Sequence, residues 1–445
     1  MRLTAKDLLM TSAMCIGPAH QPGRTSPWRT ALWCAALAAV VSVAQVASAG
    51  EAPSDAVWPR FRGADGSGVY RGKEAPVRWN GQTGEGILWK TPVPLPGYSS
   101  PVVWMDRVLL SGADEQVREV YCLEARTGRM LWKSRVGDEP GPQRVWKHPS
   151  YAAPTPATDG RSVFVMFAGG DVACLDLDGR LIWHRKLPAP ENTYGHCSSP
   201  VLHEGRLFLQ IDQGEPDEHR SSLLCLDART GRTLWSVVRP VATSWSTPII
   251  VPAGDGQQLV TSAIPLVIAY DPATGRQLWR ANCMEGGWWA APSPVFAGGL
   301  VLTGTDGAPL CAIRPDGRGD VSRTHVAWSA SGTLPTVCSP VSDGGLVFLL
   351  TSAGWLTCRD VKDGSRVWEA DYAATDRSFE ASPSIAAGRL YILDSNGVMY
   401  VIAVERRFRE IARCSLGESC DGATPAFAGG RIYIRTGRHL WCVGR

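Results

Sequence analysis

Eight times along this 445-residue chain, at intervals of 42 to 55 residues, a Ser or Thr is followed by Pro, and the residues just upstream hold most of the side chains suited to gripping a ligand. Tyr98 precedes Ser100-Pro101, His148 and Tyr151 precede Thr155-Pro156, and Tyr194 and His196 precede Ser199-Pro200. Trp245 precedes Thr247-Pro248, Trp288 and Trp289 precede Ser293-Pro294, and Glu380 precedes Ser382-Pro383. Aromatic faces with an occasional imidazole or carboxylate suit a sugar ring, a peptide segment or a flat cofactor. The same rings can equally plug a channel by packing on one another.

Chemistry beyond binding has no recognisable constellation. The chain has no GxSxG, no HExxH, no Gly-rich phosphate loop and no CxxC. Carboxylates near the same loops are limited to Glu285, Glu380 and Asp421. Asp176-Leu177-Asp178-Gly179 and the stretch from Asp316 to Asp320 have calcium-loop residue types, yet both fall where a repeated turn is expected, and a β-turn explains them. No catalytic residue and no metal site are assigned.

The elements that must position the mouth residues come from a repeat. LLCLDARTGRTLW, from Leu223 to Trp235, sets a tight Thr230-Gly231 turn between two alternating apolar runs, a strand–turn–strand signal. Copies end at Trp132, Trp183, Trp279 and Trp368, and a stretched one, CAIRPDGRGDVSRTHVAW, ends at Trp328. Successive Ser/Thr-Pro prolines lie 55, 44, 48, 46, 46, 43 and 42 residues apart. A period in the forties with four strand signals per unit predicts an all-β fold, an eight-bladed β-propeller. An isolated outer strand, Ile87 to Val93, has no partners of its own, and the last repeat supplies three strands only. The N-terminal strand is therefore expected to complete the last blade and remove the open edges. Trp89, Trp132, Trp183, Trp235, Trp279, Trp328 and Trp368 fall on outer strands, where docking on the neighbouring blade is their expected role.

Six cysteines, Cys122, Cys174, Cys225, Cys311, Cys358 and Cys442, recur in successive repeats and read as small buried apolar residues. Cys414 and Cys420, six apart across a loop, are the best-placed pair for a disulfide. Cys197, Cys283 and Cys338 have no assigned role.

Composition agrees with many short strands: 47 Gly and 32 Pro are spread along the chain. The net charge of +3 resides in the leader, which holds Arg2, Lys6, Arg24 and Arg29 against Asp7. Without a basic, aromatic-interleaved patch, nucleic acid is not expected as a partner. Arg29, the apolar run ALWCAALAAVVSVAQV and Ala47-Ser48-Ala49 have the order of a secretory signal, too short for a comfortable membrane span. The expected organisation is a signal peptide at 1–49, an extension at 50–86 wrapping the propeller flank, and the propeller at 87–445.

The AxDxxTGxxxW string resembles the quinoprotein-type (PQQ-like) repeat propeller over residues 87–445. WPRFRGADGSGV (58–69), SYAAPTPATDG (150–160) and YGHCSSPVL (194–202) are similar to exported propellers abundant in planctomycetes. The same repeats occur in the outer-membrane assembly propeller BamB, a non-enzymatic scaffold, and in quinoprotein dehydrogenases. Two functions follow from the resemblance. One is an exported, monomeric, periplasmic or cell-envelope scaffold without a cofactor, binding an envelope protein, peptide or glycan at the mouth of the channel. The other is a dehydrogenase using pyrroloquinoline quinone (PQQ) with calcium. Those enzymes hold the quinone beneath two adjacent cysteines and beside a Glu/Asn/Asp calcium set, and this chain has no Cys-Cys pair. The scaffold is the preferred reading.

Overall fold

The computed structural model describes residues 53–137, 151–254 and 256–445. Its first blade runs from Val102 to Arg135, the second from Ala157 to Lys186, the third from Val201 to Arg239, and the fourth from Ile249 to Asn282. The fifth runs from Val295 to Ala330, the sixth from Val341 to Asp371, the seventh from Ser384 to Ser415, and the eighth from Ala426 to Val443 with Ile87–Pro92 added. The described residues form eight sheets and contain one helical turn, the 3-10 segment Pro216–Glu218.

The third blade shows why the sequence reads as it does. Val201–His203, Arg206–Ile211, Ser221–Asp227 and Thr233–Arg239 pair antiparallel in that order. Its middle strands are covered on both faces by adjacent blades, so Leu207–Leu209 and Leu223–Leu226 are continuous apolar runs. The outer strand has one covered face and alternates exposed with half-buried residues.

The turn and the Trp of the repeat belong to one interlock between blades. Asp227 Oδ1 accepts from the Thr230 amide at 2.8 Å and its hydroxyl at 2.6 Å, fixing the turn. Gly231 has φ 69°, and a Cβ there would lie 2.7 Å from the Trp183 ring of the preceding blade. Glycine thus supplies both the left-handed backbone and the flat bed for the indole. The Trp183 indole N–H then donates to Ala228 O. Trp89, Trp132, Trp235, Trp279, Trp328 and Trp368 likewise donate to a carbonyl of the following blade, the seven distances spanning 2.8–3.3 Å.

A second interlock lies at the inner ends of the blades. The amide of each of the eight regularly spaced Ser or Thr residues before Pro donates to the hydroxyl of the next one round. Ser100 donates to Thr155, Thr155 to Ser199, Ser199 to Thr247, Thr247 to Ser293, Ser293 to Ser339, Ser339 to Ser382 and Ser382 to Thr424. Thr424 donates back to Ser100 at 3.1 Å, closing a belt of eight links.

The ring also closes at its rim. Ile87–Pro92 pairs antiparallel with His439–Val443, as the isolated strand predicted. Lys90 Nζ sits 4.2 Å over the Trp441 ring and 3.0 Å from Glu418. Burial opposes ionisation of Glu418, but Thr436, His439 and Lys90 together hold its carboxyl down to about 2.

Three expectations are corrected. The segment 57–70 does not wrap the flank: it crosses the central channel. Val57–Trp58 pairs with the inner strand of blade one, Pro59 O accepts from Thr158 of blade two, and Arg62 donates to Pro340 O of blade six. Gly68 O accepts from Ile385 of blade seven, and Trp58 stands 5.7 Å from Phe427 of blade eight. Contact with so many inner strands is geometrically open only to a segment on the axis. Trp79, by contrast, packs into the core shared by blades seven, eight and one, and Asn80 bridges to Ser415. Second, Cys414 and Cys420 are not bonded: Cys414 Sγ lies 3.4 Å from Val77 O, where the returning extension covers it. Third, Cys311 is one residue out of phase with its five counterparts, because Ala312 stands opposite Trp328 where the others place cysteine. Its sulfur instead reaches Cys283 O at 3.3 Å. The stretched turn that shifts the phase puts Gly319–Asp320 alongside Trp279–Arg280 as an extra parallel strand on blade four.

Candidate binding site at the channel mouth

Above the belt the inter-blade loops enclose a cup of about 560 Å³, and residues 57–70 send Phe61 into it. Tyr98, Tyr194, Trp245, Trp289 and Glu380 line it together, although they are spread over residues 98–380. Tyr194 meets Trp245 edge-on at 5.3 Å and Trp289 at 6.0 Å, and the two indoles lie 5.7 Å apart. The three rings form a ridge on one wall, and Glu380 stands exposed at the cup's lining.

Backbone pairing sets the ridge. Trp245 N and Ser246 N both donate to Ala290 O, at 2.9 and 3.1 Å, tying the loop of blade four to that of blade five. The Thr305 hydroxyl holds the Trp289 carbonyl. Beneath Trp245 lies a buried polar cluster: Asp212 accepts from Arg239 at 2.6 Å, from Ser244 at 2.5 Å and from Gln210 at 2.8 Å.

The remaining candidates divide. Of the adjacent Trp288 and Trp289, only Trp289 lines the cup. Trp288 is 75 % exposed and borders a second hollow of about 510 Å³ on the far side of the ridge, shared with Asn192, Thr193 and Thr243. His196 is buried and off the lining, its Nε2 3.2 Å from Pro188 O. Tyr151 is half-buried against the core between blades one and two. His148 lies outside the described residues.

Sequence reasoning missed Phe61, Cys197, Thr336 and Val337, which also line the cup. For Phe61 the signal was the Gly-rich string around it, whose glycines let the backbone thread the channel. Six belt residues, Ser100, Thr155, Ser199, Thr247, Ser293 and Ser339, line the floor. Each oxygen already accepts an amide, so each hydroxyl retains its proton as a donor. The Trp245 indole N–H is enclosed and has no partner.

Burial pushes the His196 imidazole down to about 4, with Lys186 adding to it and Pro188 O pulling the other way. The unfolded chain takes up this proton near pH 6.5, before the folded one does. Stability from this group is therefore present above pH 6.5 and lost as pH falls toward 4. The loss should reach about 3 kcal/mol, and His196→Gln should flatten that limb of a denaturation-versus-pH curve.

Calcium with a quinone demands a specific donor set. Among the described residues no three His, Cys, Asp or Glu side chains gather so as to hold a metal ion. Asp176 Oδ1 accepts the amides of Asp178 and Arg180, an ordinary turn, and Asp320 caps Ser322. The described lining of the cup offers one carboxylate, Glu380, where that cofactor pair calls for several donors.

Comparisons with known proteins place this geometry among relatives. The family profile described as outer membrane protein assembly factor BamB matches residues 34–215 and again 219–445. A polyvinylalcohol dehydrogenase from a Pseudomonas species is 24 % identical over 392 residues, 72 % of this chain and 56 % of that protein. The BamB of Yersinia pestis is 23 % identical over 278 residues, 60 % of this chain and 65 % of that protein. The chain thus spans less than two thirds of the length of these relatives. Among solved structures, BamB from Moraxella catarrhalis superposes with a TM-score of 0.59 at 12 % identity, over 81 % of this chain and 97 % of that one. A europium-containing methanol dehydrogenase gives 0.64 at 11 % identity, over 87 % and 91 %. These two likenesses concern the fold alone.

Proposed function

This chain belongs to the family described as outer membrane protein assembly factor BamB, and from that premise we propose an exported, monomeric, non-catalytic scaffold of the cell envelope. Its ligand seat is the mouth of the channel, and its ligand is a protein, peptide or glycan. The observation that carries the reading is the cup itself: five candidate side chains converge on one cavity with an aromatic ridge, and among the described residues no three His, Cys, Asp or Glu side chains gather to hold a metal ion. Such pockets, mostly apolar with a few polar groups, are the default binding sites of folded proteins. No helix among the described residues is long and apolar enough to cross a membrane. The dehydrogenase reading draws on the likeness to polyvinylalcohol dehydrogenase, but the chain has no adjacent cysteine pair and, among the described residues, no gathered set of three metal-binding side chains.

Two measurements separate the readings. Titration with PQQ and Ca²⁺, followed by absorbance and dye-linked alcohol oxidation, should give neither binding nor turnover; saturable binding with turnover reverses the order of preference. Trp245→Ala and Trp289→Ala should each weaken whatever ligand a screen of peptides, glycans and quinones finds. At about 1–3 kcal/mol per stacked ring, the double variant should lose roughly thirtyfold or more. Unchanged affinity in both would remove the mouth from consideration.

A further inference from the structure

We infer that Cys283 and Cys311 are a disulfide site, at which a reversible cross-link pins the root of the loop bearing Trp288 and Trp289 to blade five. The inference goes beyond the binding reading and rests on it only for export, which brings a protein into compartments where disulfides form. Three observations carry it.

The first is the face that each side chain occupies. Strand residues two apart share a face, so Cys311 lies on the side of Ile313 and opposite to Leu310 and Ala312. Ile313 packs in the core that blade five shares with Trp279, Ala281 and Met284, and Cys283 packs against that same core. Leu310 and Ala312 pack instead with Val347 and Leu349 of blade six. Cys122, Cys174, Cys225 and Cys358 all sit in cores shared with the following blade. The one-residue slip before Trp328 therefore turns Cys311 back toward the preceding blade, where Cys283 stands.

The second is contact. Cys311 Sγ lies 3.3 Å from the Cys283 carbonyl oxygen, and both residues are free thiols in this structure. The two thiols also hydrogen-bond to one another. That bond, helped by burial and by the charge Cys311 would carry, holds the Cys283 proton well above the usual thiol range. The same bond lowers Cys311, against the opposing effect of burial. Thiols that share a hydrogen bond need only side-chain rotation to close to bonding distance.

The third is access. Cys283 is partly exposed, whereas Cys311 is sealed behind it. The outer sulfur can thus be reached by a small disulfide, and the inner one can follow. Cys311, as the thiolate, takes the Cys283 proton while the Cys283 sulfur attacks one sulfur of the external disulfide. The external S–S bond breaks, and one half leaves as a thiolate that picks up a proton. Cys311 then gives its proton to solvent, attacks the Cys283 sulfur of the mixed disulfide and expels the other half. Two protein thiols lose two electrons and two protons, and the external disulfide becomes two thiols.

The place of the bond gives it an effect. Blade four's outer strand ends at Asn282, so Cys283 is the first residue of the loop. The loop runs through Gly286 and Gly287 to the two indoles, tied by Met284 N to Pro265 O and by Trp288 N to Asp306 O. A bond to Cys311 adds a covalent tie at its root.

The test uses the full chain, reduced, equilibrated with a large excess of oxidised glutathione, and alkylated in denaturant before digestion. Both cysteines fall on one tryptic peptide beginning at Ala281. The cross-link should appear there as the loss of two hydrogens, with the pieces still joined after a second cut at Glu285, and dithiothreitol should reverse it. In Cys311→Ala the reaction should stop with one glutathione on Cys283. In Cys283→Ser, Cys311 should alkylate fully as a free thiol. Hydrogen exchange over residues 284–288 should slow by about tenfold on oxidation. Alkylation of both cysteines in the unsubstituted chain, glutathione retained there on Cys283, or an oxidised Cys311 in Cys283→Ser overturns the site. A cross-link that leaves hydrogen exchange over 284–288 unchanged overturns the pinning of the loop. Glutathione is supplied in the flask, so none of these outcomes depends on export, which cell fractionation tests separately.

Discussion

Deletion of residues 53–94 should convert a cooperative monomer into a species that aggregates or unfolds without a sharp transition. The deletion removes Ile87–Pro92, so His439–Val443 becomes an unpaired edge presenting Leu440, Trp441 and Val443. Exposed apolar edges template association with other chains. It also removes Lys90, leaving Glu418 with less of the positive charge that holds its carboxyl ionised. A shorter deletion, 53–86, keeps the closing strand while withdrawing the segment from the channel. That variant should melt at a lower temperature yet remain monomeric and cooperative by sedimentation and calorimetry. If the longer deletion stays monomeric with an unchanged melting curve, strand pairing is not what closes the ring.

The second large effect is expected at Asp212. Its carboxylate and the Arg239 guanidinium are both fully buried, and Arg239 continues to Thr261 at 2.9 Å in the next blade. Asp212→Ala leaves Arg239 charged and unpaired between blades three and four. Removing one partner of a buried pair costs about 3–5 kcal/mol, because the remaining charge has lost its compensation. Replacing both, as Asp212→Leu with Arg239→Met, removes that stranded charge, and much of the loss should return. Chemical denaturation of the three variants tests this; a single substitution costing under about 1 kcal/mol would show that water reaches the pair. Trp245 adjoins this cluster through Ser244, so the single variant should also disturb the ridge.

Much of the architecture could be read from the residues. Blade three's strands fall where Val201, Leu207, Leu223 and Trp235 place them, because the middle strands are apolar throughout and the outer one alternates. Ser/Thr-Pro steps counted the blades correctly since each is a link in the belt, though that linkage joins residues at least 42 apart and no local pattern announces it. Cys311 was misplaced for a comparable reason: the turn before Trp328 is longer than its counterparts, and a one-residue slip reverses the face. The path of residues 57–70 was out of reach of periodicity altogether. Its partners are scattered over five blades, and it forms only two short pairings, at Val57–Trp58 and Val69–Tyr70. At the mouth, the loops could be named in advance but not their facing. Trp288 and Trp289 are equivalent as letters, and only the pairing of Ala290 with Ser244 decides which ring joins the cup.

The eight-link belt has an electrostatic consequence. Its amide–hydroxyl dipoles follow one another head to tail around a closed circle, so the components lying across the channel cancel between opposite links. A helix terminus, by contrast, stacks its peptide dipoles along one line and ends in roughly half an elementary charge. The belt therefore places many hydrogen-bonding groups under the mouth with no net dipole pointing across the channel, so no one wall is favoured by it and selection between walls is left to shape and to the side chains above.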